Sequence, residues 1–493
     1  SRVLESIGVT SCDTDRNVSD INFMVNDTIL GIKAAVTSNE SGCIFIKGLP
    51  GSGKTVMATE VIDEDLNAKI IGKYLVEDKN DEFSAQYKSS PVIFGKWLIN
   101  CISKELYGRL VEEREYDSNQ LTVNIVRYMN NLSKLAKNNN EKYVIILDGF
   151  DQTHRINSNY VNEIFGLIPT VFKEKILFIV FGNNENIYPD IVKNSMSKCG
   201  IIEMQPFSQD KVINYLKDKL FDYNLNYEIL RELSRKSEGN PLYIHYIVKY
   251  VQSNAECDVN DSINNLPDFE GEIENYYRSI WNAINDSSNY VKVTSILARI
   301  RGTIEKGVLI GMLDGDTRLL IEEILRKLKH LLIENGEIRI YHSSFSNFII
   351  QETKHVEIPI QKNISEYCVR NNDRYSVENK LYHLVRSDNS DINMAIGLCN
   401  QDWIDELARN DVDPDLILVD TKEILNKAVE LKIIHEIIRI QLLIQRLKFR
   451  YDKVFRQYAF EMSKALFENK KHGESLKYMT REKVLVEIGR AHV

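Results

Sequence analysis

Near-continuous apolar runs, separated by stretches of helical periodicity, set the outline of this chain. Cys43-Ile44-Phe45-Ile46, Tyr143-Val144-Ile145-Ile146-Leu147 and Ile176-Leu177-Phe178-Ile179-Val180-Phe181 are rich in β-branched and aromatic residues. That is the pattern of strands covered on both faces. Lys69-Ile70-Ile71-Gly72-Lys73-Tyr74-Leu75 reads as a further strand, the polar stretch Glu77 to Ser90 as a loop, and Pro91 through Leu106 as a helix. Strands alternating with helices predict an α/β domain, a parallel sheet with helices on both faces, whose ligands gather at the carboxyl ends of the strands.

From Ser208 to about Ser253 the pattern becomes helical and is interrupted at Glu238-Gly239-Asn240-Pro241, where glycine stops one helix and proline starts the next. Amphipathic helices follow from Glu270 to Leu332, and Asn335-Gly336 then separates the apolar runs Leu331-Leu332-Ile333 and Ile338-Arg339-Ile340. Asn-Gly in that setting is a hairpin signal, and helices closed by a hairpin predict a winged-helix domain. Beyond Ile360 the pattern stays helical, and Phe460 to Tyr478 reads as helix, turn and helix. A tetratricopeptide-like unit and a plain helical bundle fit that stretch equally.

The expected divisions are a lead-in segment over 1–40, an α/β domain over 41–205, a helical lid over 206–255, a winged helix over 256–356 and a helical, repeat-like region over 357–486. The chain opens Ser1-Arg2-Val3 without Met, and Glu487 to Val493 reads as a non-native tail, so a fragment of a longer protein is expected. The 62 basic and 71 acidic side chains leave a net charge of −9 over 493 residues, which argues against broad, sequence-independent nucleic-acid binding. Seven cysteines lie far apart, with no C-x-x-C pair and no zinc spacing. They read as reduced thiols of a cytoplasmic protein. No apolar run approaches the ~20 residues needed to span a bilayer.

The chemistry is concentrated in Gly48-Leu49-Pro50-Gly51-Ser52-Gly53-Lys54-Thr55, which fits the Walker A spacing G-x-x-x-x-G-K-[ST] between an apolar strand and the helix start Val56 to Ile62. Small residues let backbone N–H groups, Val56 included, turn toward a β-phosphate, Lys54 reaches the β- and γ-oxygens, and Thr55 ligates Mg²⁺. Asp148, ending the central strand in Leu147-Asp148-Gly149-Phe150-Asp151-Gln152, is placed to hold the same metal through water. Asp151 is the candidate to orient or deprotonate the attacking water, and turn formation after Gly149-Phe150 is its alternative. At the end of the next strand, Asn183 is placed to sense a γ-phosphate, with local turn formation by Asn183-Asn184 equally open.

The phosphate loop, the Asp148-Gly149-Phe150-Asp151 segment, Gly239-Asn240-Pro241 and a hairpin module closing with Tyr341-His342-Ser343-Ser344-Phe345 together resemble the STAND class of signalling NTPases, nearest its NACHT-like and related bacterial members. The likeness covers roughly Ser41 to Gln351. It implies that Pro241 packs near adenine and that His342 contacts the β-phosphate of bound ADP in a closed state. It also implies an ATP/ADP switch with Mg²⁺, homo-oligomerisation on activation, a ligand sensed by the C-terminal helices, an effector outside this chain, and a place in defence or regulation. Two departures stand out. Asn183 replaces the basic residue common in related proteins, and Gln152 stands where many members have Glu, so slow hydrolysis is expected. A DNA-acting AAA-type ATPase is the alternative, although the wing between Glu334 and Arg339 carries two acids and one Arg, poor equipment for phosphate contacts. Fast turnover with a phosphate acceptor would mark a third class, a small-molecule kinase, in which the added helices and wing have no role.

Overall fold

The computed structural model describes residues 27–447 apart from 62–65, 78–84, 112–119, 170, 254–265, 270, 286, 335 and 411. Phe460 to Tyr478 therefore lies outside the described residues. Five parallel strands form the first sheet: β1 (Gly42–Lys47), β2 (Lys69–Leu75), β3 (Tyr143–Asp148), β4 (Ile176–Gly182) and β5 (Ile201–Glu203), in the order β2-β3-β4-β1-β5. Every residue of β3 and β4 is buried, which explains why their sequences show no alternation of polar and apolar positions.

The two faces of this sheet have separate cores. Phe45, Ile145, Leu147, Phe178 and Val180 pack with Phe94 and Trp97 of the Pro91–Tyr107 helix and Ile125 and Leu132 of the Leu121–Asn139 helix. Ile44, Ile46, Val144, Ile146 and Ile179 pack instead with Ile29, Ile32 and Val36 of the Asp27–Ser38 helix. That helix is part of the domain, not a lead-in: Lys142 Nζ donates to the carbonyls of Val36, Thr37 and Asn39 at 3.0, 2.9 and 2.8 Å. These are orphan carbonyls of a helix C-terminus, where a cation is favoured. Two local readings also change. The stretch read as a loop contains a short helix, Ala85–Lys88, and the helix start after the phosphate loop is one α-turn, Lys54–Val56, running into a π-helical turn, Met57–Val61.

After β5 come the helices Gln209–Lys219, Tyr227–Ser237 and Pro241–Ser253, broken where expected. The next module has helices Ile273–Ile284, Ser288–Arg299, Lys306–Gly311 and Gly315–Leu328, then the strands β7 (Leu332–Glu334) and β8 (Glu337–Ile340). β8 pairs antiparallel with β7 on one side and with β6 (Ile304–Glu305) on the other. The two modules are not separate bodies, because a single hydrophobic core runs from Phe207 through Tyr243, Tyr246, Tyr276 and Tyr277 to Phe345 and Ile364. Tyr277 OH lies 3.2 Å from Tyr246 OH and 2.7 Å from Ser344 Oγ, so these two phenols are satisfied inside it, whereas Tyr276 OH has no partner among the described residues.

The Glu357–Arg370 helix still packs into that core, and the helices from Arg374 onward build a C-terminal array with its own core, from Val377 to Leu447. It is tied to the preceding module by Arg301 and Asp420, paired at 2.9 Å with both side chains 5% exposed. No described helix is long and apolar enough to cross a membrane.

Gly239 is the most constrained point of the lid. Its φ is +74°, and a Cβ there would sit 2.2 Å from the Phe207 carbonyl oxygen. Gly239→Ala is expected to destabilise this unit by roughly 2 kcal/mol or more, as backbone strain and a clash with a carbonyl add. Gly397→Ala, in the Asn389–Leu398 helix with nothing within 4 Å, is expected to be neutral or stabilising by up to about 1 kcal/mol. Urea midpoints of the two variants check the contrast.

Candidate nucleotide-binding site

The carboxyl ends of β1, β3 and β4 converge because the strands are adjacent and parallel, with Lys47 level with Gly182 and Asp148 level with Phe181. The chain leaving β1 is pinned at once by Gly48 N–H donating to Gly182 O at 3.1 Å. It then turns through Gly51 (φ +77°) and Gly53 (φ +90°) into the helix at Lys54. A Cβ on Gly51 would lie 2.6 Å from Leu242 Cβ, so glycine is required there both for the backbone angle and for a neighbour's approach.

Lys54 Nζ donates to the carbonyls of Gly48 and Leu49, both at 2.8 Å. Burial pulls its pKa down to about 8, opposed by the charges of Asp148 and Asp151. Thr55 Oγ1 donates to Asp148 Oδ2 at 2.6 Å. Asp148 is 3% exposed, and burial raises its pKa to about 6 against the pull of the Thr55 hydrogen bond and the Lys54 charge. Asp151, in the Phe150–Ile156 helix, accepts at Oδ2 from Asn183 N–H at 2.8 Å. Burial raises its pKa too, against that same hydrogen bond.

Lys54, Thr55, Asp148, Asp151 and Asn183 are thus brought together as the sequence predicts. The donor set suits a nucleoside triphosphate with Mg²⁺. Lys54 holds carbonyls that a phosphate would replace, and Thr55 and Asp148 share a hydrogen bond at the point where both would reach a metal. Among the described residues no group of three or more His, Cys, Asp or Glu side chains is placed to hold a metal, so a bound Mg²⁺ would take its remaining ligands from phosphate and water.

Pro241 starts a helix behind the Asn240 cap, whose Oδ1 accepts from Tyr243 N–H at 3.0 Å. The next residue makes the contact with the loop: Leu242 N–H donates to Gly51 O at 3.2 Å, and its side chain lies against Gly51. His342 caps the Ser343–Glu352 helix, with Nδ1 accepting from Ser344 N–H at 3.2 Å and 2.7 Å from Ser344 Oγ. From that same helix, Asn347 Nδ2 donates to Gln152 Oε1 at 3.5 Å. Sequence reasoning missed Leu242 and Asn347. Leu242 is signalled only by its place after Gly239-Asn240-Pro241, and Asn347 carries no local signal.

Residues 31–179 match the family model described as Nephrocystin 3, N-terminal. That match spans the phosphate loop, the Asp148 strand and the first part of β4. The parallel sheet and its phosphate loop are those of a P-loop NTPase domain. Origin recognition complex subunit 1 of Dictyostelium discoideum is 24% identical to this P-loop NTPase over 197 residues, 39% of this chain and 30% of that protein. Among solved structures, a Signal Transduction ATPase with Numerous Domains protein with a tetratricopeptide repeat sensor, from Pyrococcus horikoshii, is 15% identical with a TM-score of 0.42, covering 92% of this chain and 64% of that one. The Orc1 protein of Aeropyrum pernix, in complex with DNA, is 11% identical with a TM-score of 0.30, covering 66% and 92%. The chain spans less than two thirds of the length of the first two.

A folded-state pKa of about 6 for Asp148, against 3.8 ordinarily, means that ionisation opposes folding. The cost is absent below pH 4, grows between pH 4 and 6 and is constant above, at about 2–3 kcal/mol. Asp148→Asn keeps an acceptor for Thr55 and removes the charge. Scanning fluorimetry of the nucleotide-free protein is expected to show a midpoint several degrees higher than wild type at pH 7.5 and no difference at pH 4, while Mg²⁺-dependent nucleotide binding is lost.

Proposed function

We propose that this protein is an ATP/ADP-binding, STAND-type signalling ATPase, a nucleotide-dependent conformational switch that hydrolyses ATP slowly. The observation that carries the reading is the bond from Leu242 N–H to Gly51 O at 3.2 Å. It fastens the lid to the loop that would wrap the β-phosphate, so the loop's conformation and the lid's position are mechanically linked. A nucleotide shifts such an equilibrium only through different affinity for its two states. Contacts made from the lid and, through Asn347, from the hairpin module would supply that difference. Pro241 near adenine and His342 on the β-phosphate of ADP are the roles proposed for those residues, with a winged helix as the architecture of the hairpin module.

Slow hydrolysis is supported by Asp151, whose Oδ2 is engaged by the Asn183 amide, and by Gln152, an uncharged residue bonded to Asn347. In this reading ADP holds the closed arrangement, a ligand sensed by the C-terminal array loosens it, and ATP-loaded protomers assemble to activate an effector in defence or regulation. A cytoplasmic site of action fits such a role.

A second reading is a DNA-acting ATPase. It is favoured by the 24% identity to an origin recognition complex subunit, with β7 and β8 as the element that would meet the duplex.

Denaturing the purified protein without added nucleotide and separating what is released by chromatography tests the switch. Near-stoichiometric ADP is expected, together with turnover well below one per minute. An empty site with rapid ATP hydrolysis overturns it, and salt-sensitive duplex binding in a fluorescence-anisotropy titration moves the assignment to the second reading.

A further inference from the structure

We propose that Arg155 reads the γ-phosphate of the bound triphosphate, supplying from the helix after β3 the cation that the tip of β4 lacks. The inference rests on the nucleotide-switch reading. β4 runs out through Gly182 into Asn183-Asn184, and neither asparagine offers a charge to an anion. The Phe150–Ile156 helix stands beside this tip, fastened by Asp151 Oδ2 to Asn183 N–H.

Arg155 is four residues beyond Asp151 on this helix, hence on the same face one turn further on. Helical side chains lean toward the N-terminus of their helix, which here directs Arg155 back toward Asp151 and the strand ends. Its charge acts on both Asp151 and Lys54, the latter being the lysine that would reach the β- and γ-oxygens. The ordinary expectation for an Asp and an Arg at this spacing is a surface ion pair with each other. That pair is not made among the described residues, and Asp151 accepts from the Asn183 backbone. Among the described residues Arg155 forms neither a hydrogen bond nor an ion pair, and its side chain is exposed.

An unpaired guanidinium whose field overlaps that of the phosphate-loop lysine raises the positive potential of the site until a polyanion neutralises it. Guanidinium matches phosphate oxygens in a fork that an ammonium lacks. The γ-phosphate is what ATP has and ADP does not, so Arg155 discriminates between the two. It would make the switch sensitive to the third phosphate without a basic residue on β4.

The test is equilibrium titration of the full chain, stripped of nucleotide, with fluorescent N-methylanthraniloyl derivatives of a non-hydrolysable ATP analogue and of ADP, both with Mg²⁺. Arg155→Ala is expected to weaken the triphosphate roughly tenfold to a hundredfold, the worth of a charged hydrogen bond, and to leave ADP within about twofold. Arg155→Lys should fall between, since it keeps the charge and loses the fork. Arg155 has no partner to lose, so the thermal midpoint of the nucleotide-free variants should match wild type. Equal loss for both nucleotides, or no loss for either, overturns the assignment to Arg155 while leaving nucleotide binding intact. If the wild-type chain binds neither nucleotide, the nucleotide reading itself falls, and if Lys54→Ala binds both as wild type does, the assignment of binding to this site falls with it.

Discussion

Asp148 is a carboxylate at the end of a strand whose every residue is buried, and the arrangement of this site follows from the need to compensate it. Its position is dictated by the sheet, since it pairs level with Phe181 of β4 and with Leu75 of β2. Removed from water, it is served by the Thr55 hydroxyl and by the charge of Lys54. Thr55 and Lys54 occur in that place only because the loop after β1 folds over the strand ends. A buried charge with incomplete compensation is costly in a protein that gains nothing from it. Burial raises the Asp148 pKa despite these partners, and such partly compensated groups cluster at functional sites.

Around that point the binding elements are held by backbone as much as by side chains. The loop hangs from β4 through Gly48 N–H, the helix after β3 is joined to the β4 tip through Asn183 N–H, and the lid is joined to the loop through Leu242 N–H. The first and last of these are backbone to backbone and indifferent to side-chain identity, whereas the Asn183 bond needs the Asp151 carboxylate. The C-terminal array is attached by other means. Arg301 and Asp420 pair in a buried setting, and Arg301 and Arg386 both lie over the Tyr382 ring, at 4.8 and 3.7 Å from its centroid. Removing either partner of the Arg301–Asp420 pair by mutation would leave the other as an isolated buried charge, which is unstable.

Much of this was legible in the chain. β1, β3 and β4 are apolar runs with no helical reading, the phosphate loop has a spacing tied to one chemistry, and Gly239 and Gly336 punctuate the pattern at φ values of +74° and +82° that few other residues adopt. What was not legible lacked a local signal. β5 is three residues long and only partly buried, too short for periodicity to register. The Asp27–Ser38 helix is recognised by its partners Ile44 and Ile46 and by the Lys142 cap, all distant in sequence. The lid and hairpin module read as two domains because their helices are separated by a polar stretch, yet the tyrosines on either side meet in one core. Asn347 and Gln152 lie 195 residues apart, and neither residue type announces such a contact.

The chain between the two bodies is short. Met204 N–H still belongs to the sheet, donating to Lys47 O at 2.8 Å, while Phe207 N–H is already part of the lid, donating to Gly239 O at 3.0 Å. Gln205 and Pro206 alone lie between these anchors, and the proline has a fixed φ. Gln205 N–H is held as well, by Thr28 Oγ1 at 3.3 Å, which leaves Pro206 as the one residue between the sheet's hydrogen bonds and those of the following module. With a single core running through that module and the hairpin, any hinge between them and the sheet would have to be made at a residue whose φ is fixed.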